Sequence, residues 1–334
     1  MAVTRLKMME SMNHFPQPQL AHPNSKIETM PSPLFDDPKH GIRIYQGDSL
    51  ELLPLFPENS VDLIFADPPY FLSNGGITCH AGRMVSVNKG AWDRSPGPDA
   101  MHRFNRQWLA LCQRLLKPNG TIWVSGTAHV IHSVGFAMQQ LGMKLLNDIT
   151  WVKPNPPPNL SCRYFTHATE TIIWAAKNAK SRHTFNYALM RQFADGKQMK
   201  SVWTIPAPDR EEKRFGKHPT QKPVALIERI LLAASNEGDL VLDPFMGSGT
   251  TAVAALRTRR AFQGIESDRR WTSVAARRLE ETSPSAPAAT IEGRAKRARS
   301  RGKSKRRSTA RRRAPTQARV RPVGGIIFAG LQPA

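Results

Sequence analysis

The chain has 334 residues, 40% of them hydrophobic, enough apolar side chain for one large α/β domain or two smaller ones. Its formal net charge of +22 points to a polyanionic partner; Arg294 to Arg321 holds 14 bases and no acid, which leaves +8 on the remainder. Nothing in it has the length of a membrane span or the apolar core of a signal peptide, and Cys79, Cys112 and Cys162 form no CxxC pair, so the expectation is a cytoplasmic protein with no membrane, disulfide framework or zinc ribbon.

Residues 1–38 combine many prolines with no sustained periodicity and read as a loosely ordered arm. Gly41 to Gln46 alternates like a strand, and Gly47-Asp48 turns it into a short helix over 49–56. Val61 to Ala66 is an apolar run with a single acid, the pattern of a strand buried on both faces of a parallel sheet. Pro68 and Pro69 cannot continue a ladder, so that strand ends at Asp67. Ser73 to Asp99 is long, polar and Gly-rich, a stretch of the kind that is functional or disordered. Met101, Phe104, Trp108, Cys112 and Leu115 fall at helical spacing, and Pro118-Asn119-Gly120 stops the helix. Thr121–Val124, Asp148–Val152 and Glu170–Trp174 read as strands. Between Asn178 and Gly216 the periodicity weakens while basic and amide residues accumulate. It returns with a helix over 223–234, the strand Leu240–Leu242, the loop Phe245-Met246-Gly247-Ser248-Gly249, a helix over 250–259, the strand Ala261–Ile265 and a helix capped by Asp268. Strands alternating with helices predict an α/β domain over 39–281, with a mostly parallel, doubly wound sheet. A basic tail over 282–334 follows, with too little apolar surface to join a core.

Ligands of open α/β sheets bind beyond the carboxyl ends of the strands, which is where Asp67-Pro68-Pro69-Tyr70 falls. A bare Asp-Pro pair is usually a turn; a carboxylate, a rigid carbonyl and an aromatic ring directly after a buried strand make a site. The glycines of the second loop let a ligand approach the backbone. That loop is not a P-loop, because no lysine follows Gly249, and it lacks the third glycine of the dinucleotide fingerprint. A cofactor without a pyrophosphate fits it better. Glu266 closes the next strand, where an acid commonly binds ribose hydroxyls.

Asp67-Pro68-Pro69-Tyr70, followed later in the chain by Phe245-x-Gly247-x-Gly249, resembles the motifs of the amino-group DNA methyltransferases, which use S-adenosylmethionine. The tetrad preceding the Gly loop resembles their β group, a permuted arrangement of the class I AdoMet-dependent methyltransferase fold. The resemblance covers most of residues 41–280. It implies catalytic roles for Asp67, Pro68, Pro69 and Tyr70. Asp67 and the carbonyl of Pro68 would accept the two amino hydrogens of the target, and Tyr70 would stack on a flipped base. It implies a cofactor pocket built from Asp67, His218, Thr220, Gln221, Lys222, Pro223, Asp243, Phe245, Gly247, Ser248, Gly249, Thr250, Thr251 and Glu266, with Asp48 less specifically. It places target recognition in 178–216, where Arg182, Arg191, Arg210 and Arg214 are the candidate DNA contacts.

Asn155-Pro156-Pro157-Pro158 resembles the Asn-Pro-Pro-aromatic motif of other methyltransferases, but its fourth residue has no ring; it reads as a rigid loop beside the base pocket. No cysteine follows a proline, as the thiolate of C5-cytosine enzymes usually does, and the histidines lack a third ligand for a metal. The implied activity is sequence-specific N6-adenine methylation of double-stranded DNA, with N4-cytosine methylation, an inactive DNA-binding protein, and RNA or protein-glutamine methylation as the competing readings. A homodimer and a cognate restriction endonuclease stay open as partners.

Overall fold

The computed structural model describes residues 29–71, 77–80, 83–86 and 96–284. Residues 285–334 of the basic tail, residues 1–28 of the arm and most of Ser73–Asp99 lie outside them. Nine strands form one sheet: β1 (Phe35–Asp37), β2 (Ile42–Gln46), β3 (Val61–Ala66), β6 (Leu116–Gly126), β7 (Lys144–Val152), β8 (Thr169–Ala176), β9 (Val202–Thr204), β10 (Leu240–Asp243) and β11 (Ala261–Glu266). Between the third and fourth of these, β4 (Ile77–His80) and β5 (Arg83–Ser86) pair only with each other. The helices are α1 (Ser49–Leu52), α2 (Pro98–Leu115), α3 (Ile131–Gln140), α4 (Tyr187–Phe193), α5 (Val224–Ala234), α6 (Thr250–Arg257) and α7 (Arg269–Glu280).

The strand order is β1-β2-β11-β10-β3-β6-β8-β7-β9. Pairing is parallel except where β1 meets β2 and where β8 lies between β6 and β7. The reversal at β8 has a simple cause: residues 153–168 contain no helix, and a parallel return needs a crossover long enough to span the sheet. From Leu63 on, β3 alternates, with Leu63 and Phe65 facing one core and Ile64 and Ala66 the other; a register shift against β6 leaves Val61 in the second core. The first core is closed by α5, α6 and α7, the second by α1, α2 and α3, so the sheet is buried on both faces.

Three boundaries differ from the sequence reading. The sheet starts at Phe35, inside the stretch read as arm, because Phe35–Asp37 completes an antiparallel edge on β2. A hairpin, β4–β5, lies inside the polar stretch. The region over 178–216 is also no detached insert: β9 extends the sheet beside β7, and Ser181, Met190, Trp203 and Ile205 are buried. Its sparse apolar residues fall on short elements, so no helical or strand period accumulates.

β10 connects through α6 to β11 on one side, and β3 through α2 to β6 on the other. Chain connections leaving adjacent strands in opposite directions open a crevice at their carboxyl ends. Asp243 ends β10 and Asp67 follows β3 directly, so both acids stand at that crevice.

Candidate active site

A cleft of about 290 Å³ opens at the crevice, near the lower end of the range for small-molecule sites (~300–1,000 Å³). Of the residues singled out in the sequence, Asp48, Asp67, Pro68, Pro69, Tyr70, His218, Thr220, Phe245, Gly247 and Glu266 line it. An adjoining recess of about 30 Å³ is lined by Gln221, Lys222, Asp243, Ser248, Thr250 and Thr251 as well. Gly249 and Pro223 line neither, and each acts on the backbone instead. Gly249 has φ +76°, and a Cβ on it would come within 2.5 Å of the Ala275 Cβ, so only glycine lets α7 approach the loop. Pro223 is the extended residue that begins α5.

The Asp67 carboxylate is held from three directions. Its Oδ1 accepts hydrogen bonds from Tyr70 Oη at 2.6 Å and Ser125 Oγ at 2.5 Å, and its Oδ2 from Lys222 Nζ at 2.5 Å. Lys222 also lies 3.6 Å from Glu170 Oε2, and Lys153 Nζ donates to Glu170 Oε1 at 2.5 Å. Two carboxylates and two ammonium groups thus form one nearly buried network, balanced in formal charge. Burial works against the charge on Lys222, but Asp67 and Glu170 hold its pKa above the ordinary lysine value. Burial likewise opposes ionisation of Glu170, and Lys222 and Lys153 overcome it, so the carboxyl titrates below its usual range. Burial, with Asp67 and Glu170 adding to it, pushes the Tyr70 phenol far up, so it stays protonated and acts as a donor. Tyr70 was read from sequence as a stacking ring; its hydroxyl has this second role.

The other half of the cleft is built on the Gly loop. Gly247, at φ +52°, leaves room for His218, whose ring atoms would lie 3.1 Å from an added Cβ. His218 meets Trp271 edge-on at 4.5 Å between ring centroids. Burial lowers its pKa to about 4, so the imidazole is neutral at physiological pH. Asp243 accepts from Thr251 Oγ1 at 2.5 Å and Phe245 N at 3.0 Å; burial nonetheless raises its pKa to about 7. Glu266 accepts from Gly247 N at 2.9 Å and Asp268 N at 2.8 Å. Asp48 caps α1 through Leu50 N at 2.7 Å, beside Glu266 in the cleft wall. Aromatic faces (Phe245, Trp271), a strand-end carboxylate and a glycine backbone form a cradle suited to a flat base, a ribose and a charged tail.

Four residues of the site were not singled out for it in the sequence. From strand ends at the same edge, Ser125 bonds Asp67 directly, Glu170 acts through Lys222 and Tyr70, and Lys153 acts through Glu170; the visible sign for Glu170 was a charge at the start of an otherwise apolar strand. Arg278, buried in α7, donates to the Ser248 carbonyl at 2.7 Å and to Thr250 Oγ1 at 3.1 Å, fixing the Gly loop from behind. Burial lowers its pKa to about 10.

The four candidate DNA contacts separate. Arg182 follows the end of β8, and its backbone N–H donates to Asn119 Oδ1 near the start of β6. That is the edge opposite Asp67: Thr121 and Gly126, at the two ends of the paired run, are about 17 Å apart at roughly 3.3 Å per residue. Arg191 caps the end of α4 through two bonds to the Gly196 carbonyl, and the N-cap of that helix, Asn186, is tied to the last turn of α5 at the far edge. Arg182 therefore lies away from the site, and the chain returns to the catalytic edge at β9, which pairs with Thr150–Val152 at the end of β7. Arg210 and Arg214 follow β9 and lie at that edge. Arg214 is ion-paired with Glu211 and Glu281, and Arg210 is exposed.

Residues 61–277 match the N6/N4 DNA methylase family. The chain is 55% identical over 244 residues to the Type II methyltransferase M2.LlaDCHI of Lactococcus lactis subsp. cremoris, covering 73% of this chain and 91% of that protein. It is 54% identical over 243 residues to the Type II methyltransferase M2.DpnII of Streptococcus pneumoniae, covering 72% and 91%. The structure of an M1.HpyAVI–SAM complex superposes with a TM-score of 0.55 at 31% identity, covering 71% of this chain and 98% of that one. The cytosine-N4-specific PvuII DNA methyltransferase, 21% identical with a TM-score of 0.57 over 75% of this chain and 88% of its own, shares the fold.

Proposed function

The chain belongs to the N6/N4 DNA methylase family, a DNA methyltransferase using S-adenosylmethionine, and from that premise we propose that it methylates adenine N6 on a base flipped out of duplex DNA. The observation that carries the reading is the Asp67 carboxylate, oriented by Lys222, Ser125 and Tyr70 at the wall of the cleft.

The cofactor supplies an electrophilic methyl group. Adenine N6 is a poor nucleophile because its lone pair is delocalised into the ring. Asp67 and the Pro68 carbonyl accept its two hydrogens, draw the nitrogen towards a tetrahedral form and stabilise the positive charge that develops there. The incoming amino group competes with the Tyr70 hydroxyl for Oδ1, so Tyr70 holds the acceptor in place until the base arrives and then offers its ring for stacking. Glu170 cancels the charge of Lys222, which would otherwise oppose the developing ammonium. His218, Phe245, Gly247 and Glu266 hold the cofactor, Glu266 through ribose hydroxyls. Asp243, Gln221, Ser248, Thr250 and Thr251 shape the recess beside it.

Sequence reading is assigned to the segment after β9, where Arg210 and Arg214 are both exposed and Arg214 is already ion-paired with Glu211 and Glu281. The reading includes a cytoplasmic location and a cognate restriction endonuclease as partner, supported by the likeness to Type II methyltransferases. Among the described residues no helix is long and apolar enough to cross a membrane.

Incubation of mixed-sequence DNA with methyl-labelled S-adenosylmethionine, digestion to nucleosides and chromatography tests the assignment. N6-methyldeoxyadenosine is expected. Label in N4-methyldeoxycytidine would move the target to cytosine, and no label in DNA would end the reading.

A further inference from the structure

The loop over 153–168 joins β7 to β8 at the catalytic edge of the sheet. Its base is closed by Lys153 N donating to the Ala168 carbonyl at 2.8 Å, and the Lys153 side chain enters the Asp67 network through Glu170. The tip is shaped from within. Asn159 Oδ1 accepts from Ser161 N and Oγ at 3.1 and 2.7 Å, and Asn159 Nδ2 donates to the Tyr164 carbonyl at 2.6 Å. Four prolines over 154–158 stiffen the approach. This ordered loop presents Phe165 at 96% exposure, with Tyr164 at 59% and Leu160 at 41% beside it. Phe165 is the most exposed large apolar side chain among the described residues, and no acid occurs between Lys153 and Thr169, whereas Arg163 adjoins the ring pair.

A bare aromatic on a stiff, acid-free loop is suited to a flat, apolar partner carried on a polyanion, which is a base stack. Phe165 lies five positions before Glu170, so their Cα atoms are at most about 18 Å apart. Glu170 in turn touches the groups that hold Asp67. A duplex delivering a base to Asp67 therefore passes within reach of the loop, its bases about 3.4 Å apart along each strand. We propose that Phe165 is a wedge that enters the duplex where the target base leaves it, filling the vacated space and keeping the base out. The partner is double-stranded DNA, and the inference rests on the methylation reading above. Apolar wedges between base steps are a general device for unstacking DNA.

The test compares wild type, Phe165→Ala and Phe165→Trp on duplexes whose target base is matched or mismatched, since a mismatched base needs less energy to extrude. Phe165→Ala is expected to lower kcat/KM on the matched duplex about tenfold or more, a loss of roughly 1.4 kcal/mol in the barrier. The loss should be several-fold smaller on the mismatch, and Phe165→Trp should restore activity. Fluorescence of 2-aminopurine at the target position should rise on binding wild type and much less on binding Phe165→Ala. Unchanged kcat/KM and fluorescence would overturn the wedge alone, as would equal losses on both duplexes. Sedimentation showing that Phe165→Ala dissociates a wild-type dimer while flipping persists would overturn it in favour of a protein interface. Wild type that methylates no DNA would remove the parent reading and the wedge with it.

Discussion

At the catalytic edge of the sheet, the buried Lys222 and the half-buried Lys153 are matched to the carboxylates of Asp67 and Glu170. At the opposite edge, Arg114, Lys177 and Arg260 are matched mainly to main-chain carbonyls: Arg114 to those of Leu53, Pro54 and Phe56, Lys177 to Leu116, and Arg260 to Ser235 and Thr258. Burial leaves Lys177 and Arg260 below their ordinary pKa values, whereas Lys222, more deeply buried, lies above its own because two acids face it. The far edge uses charge to close chain ends that hydrogen-bonded elements leave open. The near edge uses it to fix an acceptor where positive charge will develop. Substitutions at the first should cost stability, and at the second, turnover.

Asp67→Asn provides the sharpest test of that division. The amide keeps the shape but loses the charge, and kcat should fall about 10²–10³-fold, as when other preorganised electrostatic groups are removed. Cofactor affinity by calorimetry should stay within a few-fold. A variant with near-normal turnover would place the chemistry elsewhere. Arg260→Met is the reciprocal experiment. It orphans buried carbonyls, each worth about 1–3 kcal/mol, and should lower Tm by several degrees with kcat unchanged. A turnover defect at a temperature where the variant is fully folded would break the comparison.

Glu170→Gln leaves Lys222 with a single acid and should reduce kcat roughly tenfold, about 1.4 kcal/mol, with KM for the cofactor little changed. The reverse pattern would make Glu170 a binding group. The near edge also predicts a pH signature. Burial raises the folded pKa of Asp243 to about 7, well above the ordinary carboxyl value, so the native state binds the proton more tightly than the unfolded chain. Its stabilising contribution is complete below about pH 4 and is lost as pH rises towards 7, at up to about 1.4 kcal/mol per pH unit. Denaturant titrations of wild type and Asp243→Asn should therefore diverge in slope between pH 4 and 7. Parallel curves would mean that Asp243 is ionised in the native protein throughout. The smallest effect belongs to Arg182→Ala, at the far edge, which should leave DNA affinity and site preference as they are. Arg210→Ala should weaken binding to cognate DNA or relax one position of the site. Equal effects from the two would contradict their separation across the sheet.

The sequence by itself determined the central strands β2, β3, β6, β7, β8, β10 and β11, the helices α1, α2, α5, α6 and α7, and the two loops that carry the chemistry. Each of these is local: apolar alternation in Val61–Ala66, prolines that stop the ladder at Asp67, glycines that admit a ligand, an Asp268 side chain that caps its own helix at Arg270 N. It did not determine what holds Asp67. Its ion-pair partner Lys222 lies 155 residues away, and Glu170 joins them only because β8 turns back between β6 and β7. Nor did it separate Arg182 from Arg210, which share one composition but fall at opposite ends of the strands. Periods of two and 3.6 residues are written in neighbouring side chains. Which distant charges share a buried space depends on strand order and direction, and these are set only when the sheet closes.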